Sequence, residues 1–143
     1  MNLLLTKKYS DGRMNIFISS MMTLQDFRPS MITMDNIKAS GEFDLIRDID
    51  LRKQIITTYD SYASTSTFDQ MIMDYANDYV TPYFFENVRF SDLSSINKNI
   101  LEDPAFENIL IGYMTLMTQQ INGYKENLKQ VKTLNEYLIH SQK

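Results

Sequence analysis

The chain contains one histidine, His140, three residues from the end, and no cysteine. Neither a Gly-x-Ser-x-Gly elbow nor a Gly-rich phosphate loop accompanies it, so serine-type acyl transfer and phosphate cradling both lack their machinery. His140 reads instead as a group favoured by the negative end of a helix dipole. Asp44, Asp48 and Asp50 crowd one short run, but the Asp-x-Asp-x-Asp-Gly register and closing Glu of a calcium loop are missing, and helix capping accounts for them. Asp74 and Asp78 stand four apart on one helical face, as an acid/base or metal pair would. No Glu-x-x-His segment completes a bundle-core metal site. The expectation is no catalytic residue, no metal and no cofactor, hence no enzyme; an enzyme using Asp74 and Asp78 is the weakest reading carried.

The aromatic residues offer a different chemistry. Tyr59, Tyr62, Tyr75, Tyr79, Tyr113 and Tyr124 all fall on predicted inner stripes, and each buried hydroxyl needs a partner. An aromatic core with hydroxyls at its rim explains them. The alternative is a small-ligand sensor module, in which these hydroxyls and the stretch Ser64, Thr65, Ser66 and Thr67 surround a polar-aromatic pocket between long helices. Which residues would bind the ligand is unknown.

The elements that must position these groups are helices. With four Gly, three Pro and no alternating β-branched runs, few hairpin turns can be drawn. Asp103 as N-cap, Pro104 at the first helical position and Glu107 in the first turn open a helix from Asp103 to His140. Its stripe is Phe106, Leu110, Tyr113, Met117, Ile121, Tyr124, Leu128, Val131, Leu134 and Leu138, a period near 3.6. At about 1.5 Å per residue this helix is about 55 Å long, with Gly123 its one weak position. A second long helix is predicted from Asp48 or Asp50 past Asp78, carrying Leu51, Ile55, Tyr59, Tyr62, Phe68, Ile72, Tyr75 and Tyr79. Its middle is expected to kink or break at Ser64–Thr67, whose hydroxyls compete for backbone hydrogen bonds. Pro82 is expected to bend or end it near residue 80, with an irregular link through Ser91 and a short helix over Ser91–Asn99. Upstream, shorter helices are predicted over Met14–Leu24 and Met31–Ala39, launched by the turn Phe27–Ser30 and stopped by Gly41; residues 1–13 read as a loop or frayed terminus. The fold class is therefore all-α: one helical domain over 1–143, an elongated bundle with two long antiparallel helices and shorter N-terminal helices.

The net charge of −4 gives no electrostatic footprint for nucleic acid. Lys125, Lys129 and Lys132 outnumber Glu126 and Glu136 on the last helix, a pattern that reads as a solvated face. The absence of cysteine leaves the redox compartment open. The longest apolar runs, Leu3–Leu5 and Ile109–Ile111, fall far short of the roughly 20 residues that span a bilayer, and the chain reads as soluble.

The run Ser40-Gly41-Glu42-Phe43-Asp44-Leu45-Ile46, then Leu51-Arg52-Lys53-Gln54-Ile55 and Tyr59, resembles an uncharacterised family of bacterial membrane-anchored helical proteins. Leu101-Glu102-Asp103-Pro104-Ala105-Phe106-Glu107-Asn108 is similar to that family's entry into its final helix, and the likeness covers about residues 24 to 140. The resemblance implies an N-terminal transmembrane helix, which this sequence lacks, and a helical domain placed extracytoplasmically, on the periplasmic side of the inner membrane. It also implies a charged helix after the anchor, packed beside the final helix, and it brings no catalytic residues. The expectation drawn from it is a non-enzymatic interaction or assembly domain of the cell envelope, with a protein partner or a homo-oligomer. If a partner helix is missing, apolar surface softened by Met31, Met34, Met71 and Met73 is left exposed.

Overall fold

A computed structural model describes residues 14–23 and 28–141, and over these the chain is all-α apart from one pair of two-residue strands. The expected loop over residues 1–13, and the turn and helix residues Leu24 and Phe27, lie outside the described residues. In chain order come α1 (Met14–Met22), α2 (Ile32–Ser40), a 3₁₀ turn (Glu42–Leu45), α3 (Ile49–Tyr75), a π-helical turn (Ala76–Val80) and α4 (Thr81–Asn87). Strands β1 (Val88–Arg89) and β2 (Ser94–Ser95), a 3₁₀ turn (Ile100–Glu102) and α5 (Pro104–Ser141) follow. No helix among the described residues is long and apolar enough to cross a membrane.

Capping and stop signals act where expected. Gly41 ends α2 in the left-handed region at φ 75°, its N–H donating to Lys38 O, a conformation glycine adopts without the Cβ penalty. Asp48 Oδ1 accepts the N–H of Asp50 and Leu51 at 2.9 and 3.0 Å and opens α3. Asp103 Oδ1 accepts the Ala105 N–H at 2.9 Å, with Pro104 at the first position of α5.

Three expectations are corrected. The Ser64–Thr67 stretch does not break α3, which runs unbroken for 27 residues. Its hydroxyls donate back to the carbonyls of their own helix: Thr58 to Gln54 O, Ser61 to Thr58 O, Thr65 to Ser61 O and Thr67 to Ala63 O, which satisfies them without opening the backbone. Pro82 does not end the helical run either. One π turn precedes it, with the Thr81 N–H reaching back five residues to Ala76 O, and Pro82 then stands at the start of α4, where its missing N–H is no loss. Finally, Ser91–Asn99 forms no helix. Asp92 Oδ1 accepts the Ser94 N–H at 3.0 Å and Leu93 takes φ 56°, a turn that pairs β1 with β2 in the register Val88–Ser95 and Arg89–Ser94.

The described residues group into two compact units. The first, residues 14–23 with Asp69–Gln119, holds the hydrophobic core: Ile18 and Met21 of α1, Ile72, Ala76, Val80, Phe84 and Val88, then Ile100, Phe106, Ile109, Leu110 and Tyr113. Tyr83 stacks on Phe106 at 5.8 Å between centroids. Within this unit Gly112 lies under Tyr75, where a Cβ would overlap the phenol oxygen that hydrogen-bonds Ile109 O at 3.3 Å.

The second unit, residues 28–68 with 120–141, has a different interior. Beside buried Met34 its buried side chains are polar: Thr58, Thr65, Gln120 and Asn127. The expected stripe of α5 is correct from Phe106 to Tyr113 and, beyond Met117, holds at half-buried Tyr124 and Leu134 but fails at Ile121 and Leu128, which are 47% and 55% exposed while Gln120 and Asn127 are buried in their place. From Phe106 the inward positions alternate steps of four and three through 110, 113, 117, 120, 124 and 127, and the alternation continues through Val131, 38% exposed, to half-buried Leu134. That is a 3.5-residue heptad period, which drifts away from a 3.6 stripe by about 20° per heptad.

Candidate functional site

In the second unit three side-chain hydrogen bonds tie α5 to α3 and its cap, one buried, one half-buried and one exposed. Asn127 Nδ2 donates to Thr65 Oγ1 at 2.8 Å, Gln54 Nε2 donates to Gln130 Oε1 at 3.2 Å, and Tyr137 Oη donates to Asp48 Oδ2 at 2.7 Å. Gly123 allows the close approach, since a Cβ there would stand 3.2 Å from Thr65 Oγ1. Asn127 Oδ1 is buried without a hydrogen-bond partner. Sequence reasoning named Thr65 with Ser64, Ser66 and Thr67 but missed Thr58, Gln120 and Asn127 because it selected apolar types; the heptad spacing carried past Met117 would have found Gln120 and Asn127.

Of the sequence candidates, the fold brings Asp48 and His140 to one open recess of about 600 Å³, lined also by Thr133, Glu136 and Tyr137. Its chemistry is that of a fastened helix end. His140 Nδ1 lies 2.7 Å from Glu136 O, to which it donates. Backbone N–H donation from Leu51, and then the Tyr137 hydroxyl, hold the Asp48 carboxyl below its ordinary value, so it is a fixed anion rather than a proton donor. The same hydrogen bond pushes the Tyr137 phenol up. Asp44 pairs instead with Arg52 at 3.3 Å, and Asp50 with Lys53 at 3.8 Å. No three His, Cys, Asp or Glu side chains among the described residues form a metal-holding group.

Asp74 and Asp78 are both exposed, Asp74 accepting Gln70 Nε2 at 2.8 Å. The tyrosines divide between the units. Tyr75, Tyr79 and Tyr113 belong to the first, and Tyr59, Tyr62 and Tyr124 to the second, where Tyr59 and Tyr62 meet edge to face at 5.6 Å. Ser64, Ser66 and Thr67 face solvent. Tyr59 does line a recess of about 210 Å³, but its companions Met34, Ile37, Phe43, Ile46, Ile55 and Leu134 are all apolar.

Asp103 repeats the pattern of Asp48 in the first unit. The Tyr83 hydroxyl, donating to Asp103 Oδ2 at 2.7 Å, and the Ala105 N–H hold its carboxyl below its ordinary value, while burial and this bond raise the Tyr83 phenol. Depressed carboxylates stabilise the fold fully above the unfolded value near 3.8 and lose that contribution as pH falls through the lowered folded value. The contribution of these two caps to thermal stability should therefore begin to fade as pH drops below about 4, which gives thermal melts an acid limb. The double variant Asp48→Asn, Asp103→Asn should flatten that acid limb, and an unchanged limb would show that these two caps do not set it.

No family model, curated protein or solved structure matches this chain.

Proposed function

We propose that the chain is a non-enzymatic helical interaction module whose last helix docks a helix of another protein. One observation carries the reading: beside its buried seam α5 leaves Ile121 and Leu128 exposed, seven residues apart, and Val131 and Leu138, where the seam's own alternation continues, are 38% exposed. An apolar strip wider than one seam suits a helix that meets a second neighbour besides α3. In this reading α3 and α5 run antiparallel in the second unit, as the pairs Asp48–Tyr137, Gln54–Gln130 and Thr65–Asn127 support. Leu134 of α5 lines a recess with Met34 and Ile37 of α2. The placement outside the cytoplasmic membrane belongs to the same proposal and rests on the motifs around Gly41 and Pro104.

The sensor reading fares less well, because the recess beside Tyr59 is apolar and, at about 210 Å³, smaller than the roughly 300 Å³ at which ligand pockets begin. Methyl-detected NMR separates the two. A synthetic amphipathic helical peptide with Leu at its seam positions should shift the methyl signals of Ile121, Leu128, Val131 and Leu138. Shifts confined to Ile37, Ile55 and Leu134, produced by small metabolites and not by the peptide, would overturn the interaction reading in favour of a sensor.

A further inference from the structure

Four segments of the second unit meet around the apolar recess beside Tyr59. Ile37 comes from α2, Phe43 from the 3₁₀ turn and Ile46 from just after it, Ile55 and Tyr59 from α3, and Leu134 from α5. The turn is fastened on both sides. Gly41 redirects the chain out of α2, and Ser40 Oγ accepts the Glu42 N–H at 3.4 Å. Beyond it, Arg52 of α3 donates to Asp44 Oδ1 at 3.3 Å. Phe43 and Ile46 therefore stand on a segment tied to the helix that carries Ile55 and Tyr59, and walls already in place lower the ordering cost of binding.

The lining sets the chemistry of what fits. No charged side chain lines the recess, so a carboxylate or an ammonium entering it would give up hydration without meeting a counter-ion. Tyr59 brings the one polar side-chain atom, a hydroxyl that makes no hydrogen bond among the described residues, and Phe43 and Tyr59 supply two aromatic rings. At about 210 Å³ the recess is too small for a drug-sized molecule, whereas an apolar cavity of about 150 Å³ already takes one benzene-sized ring. We propose that this recess binds a small uncharged ring bearing one hydroxyl or N–H, of the phenol or indole class, with the Tyr59 hydroxyl as its hydrogen-bond partner. The proposal goes beyond the interaction reading and does not rest on it, since neither Ile121 nor Leu128 lines the recess.

The test titrates the full chain with phenol, benzene and benzoate and follows its methyl signals by NMR. Phenol should give saturable shifts at Ile37, Ile46, Ile55 and Leu134 and none at Ile121 or Leu128, and benzoate at pH 7 should bind at least about tenfold more weakly. Leu134→Trp, which fills the recess, should abolish phenol binding with helicity by circular dichroism unchanged. Tyr59→Phe keeps the wall; it should weaken phenol about tenfold and leave benzene unaffected, the effect of stranding one buried hydroxyl. Shifts spread equally over the recess and Ile121 and Leu128, or no saturable shift with phenol, would overturn the site. Benzoate binding as tightly as phenol would overturn the uncharged class, and phenol binding untouched by Tyr59→Phe would overturn the role of the hydroxyl. Docking of a helical peptide at Ile121 and Leu128 is read from separate signals, so either reading can fail while the other stands.

Discussion

Phe106→Ala should lower the unfolding free energy by about 3–5 kcal/mol, the range for deleting a fully buried aromatic ring. Phe106 is 2% exposed at the start of α5. Its ring lies nearly parallel to Tyr83 and 6.4 Å from Phe84, so its loss removes the surface on which α4 rests within the first unit. The neighbours cannot close the gap freely, because Tyr83 is held by its bond to Asp103 and Phe84 is already without solvent exposure. Urea unfolding of the variant beside the parent chain measures the loss. A change below about 1 kcal/mol, the size of an exposed truncation, would show that the ring is not buried as described.

Asn127→Asp should be destabilising by about 3–5 kcal/mol at neutral pH, the penalty of an uncompensated buried charge. Asn127 is 6% exposed and its one hydrogen bond runs to Thr65 Oγ1, whose own proton is given to Ser61 O. A carboxylate in that place can draw only the Thr65 hydroxyl, and that at the expense of its bond to Ser61 O. Burial raises its pKa above the unfolded value, so the penalty is present above the raised value and disappears as pH falls to the ordinary carboxylate range. Asn127→Leu acts in the opposite direction. It removes the unpartnered Oδ1 while Thr65 keeps its bond to Ser61, and should be neutral or stabilising by about 1 kcal/mol. What it should weaken is the register of α5 against α3, since a buried Asn at a seam position selects one alignment. Urea titrations of both variants at pH 7 and pH 4 test this pair. Equal stability of Asn127→Asp at the two pH values would contradict the buried seam.

Much of the architecture was readable from local chemistry. The Asp103-Pro104 start of α5, the Asp48 cap of α3 and the Gly41 stop each depend on a few adjacent residues, and each stands where its residues imply. Breaks were harder to read than caps. The hydroxyls of Thr58 to Thr67 can disrupt a helix or fold back onto it, and only the whole structure decides which; a π turn before Pro82 leaves no mark in residue type. The polar interior was hidden for another reason. Gln120 and Asn127 are inward by geometry and outward by composition, so a reading that followed hydrophobicity stepped one residue aside onto Ile121 and Leu128. Ile121 and Leu128, which this displaced stripe took as core, are the residues that carry the proposed docking face. The acid pair looked like a site because its members stand four apart on one helical face, and the tyrosines because they fall on predicted inner stripes, whereas the fold turns Asp74 and Asp78 to solvent and divides the tyrosines between two units.

Solvent paramagnetic relaxation of side-chain methyl and amide groups, measured on the dilute free chain, tests the central claim directly: α5 turns Asn127 inward and leaves Ile121 and Leu128 outside. Strong relaxation of the Ile121 and Leu128 methyls, with the Asn127 side-chain amide protected like the Leu110 and Ile72 methyls, is the predicted result. Protected Ile121 and Leu128 methyls together with a relaxed Asn127 amide would contradict it, and would return α5 to the 3.6-residue stripe with no free face to dock a partner.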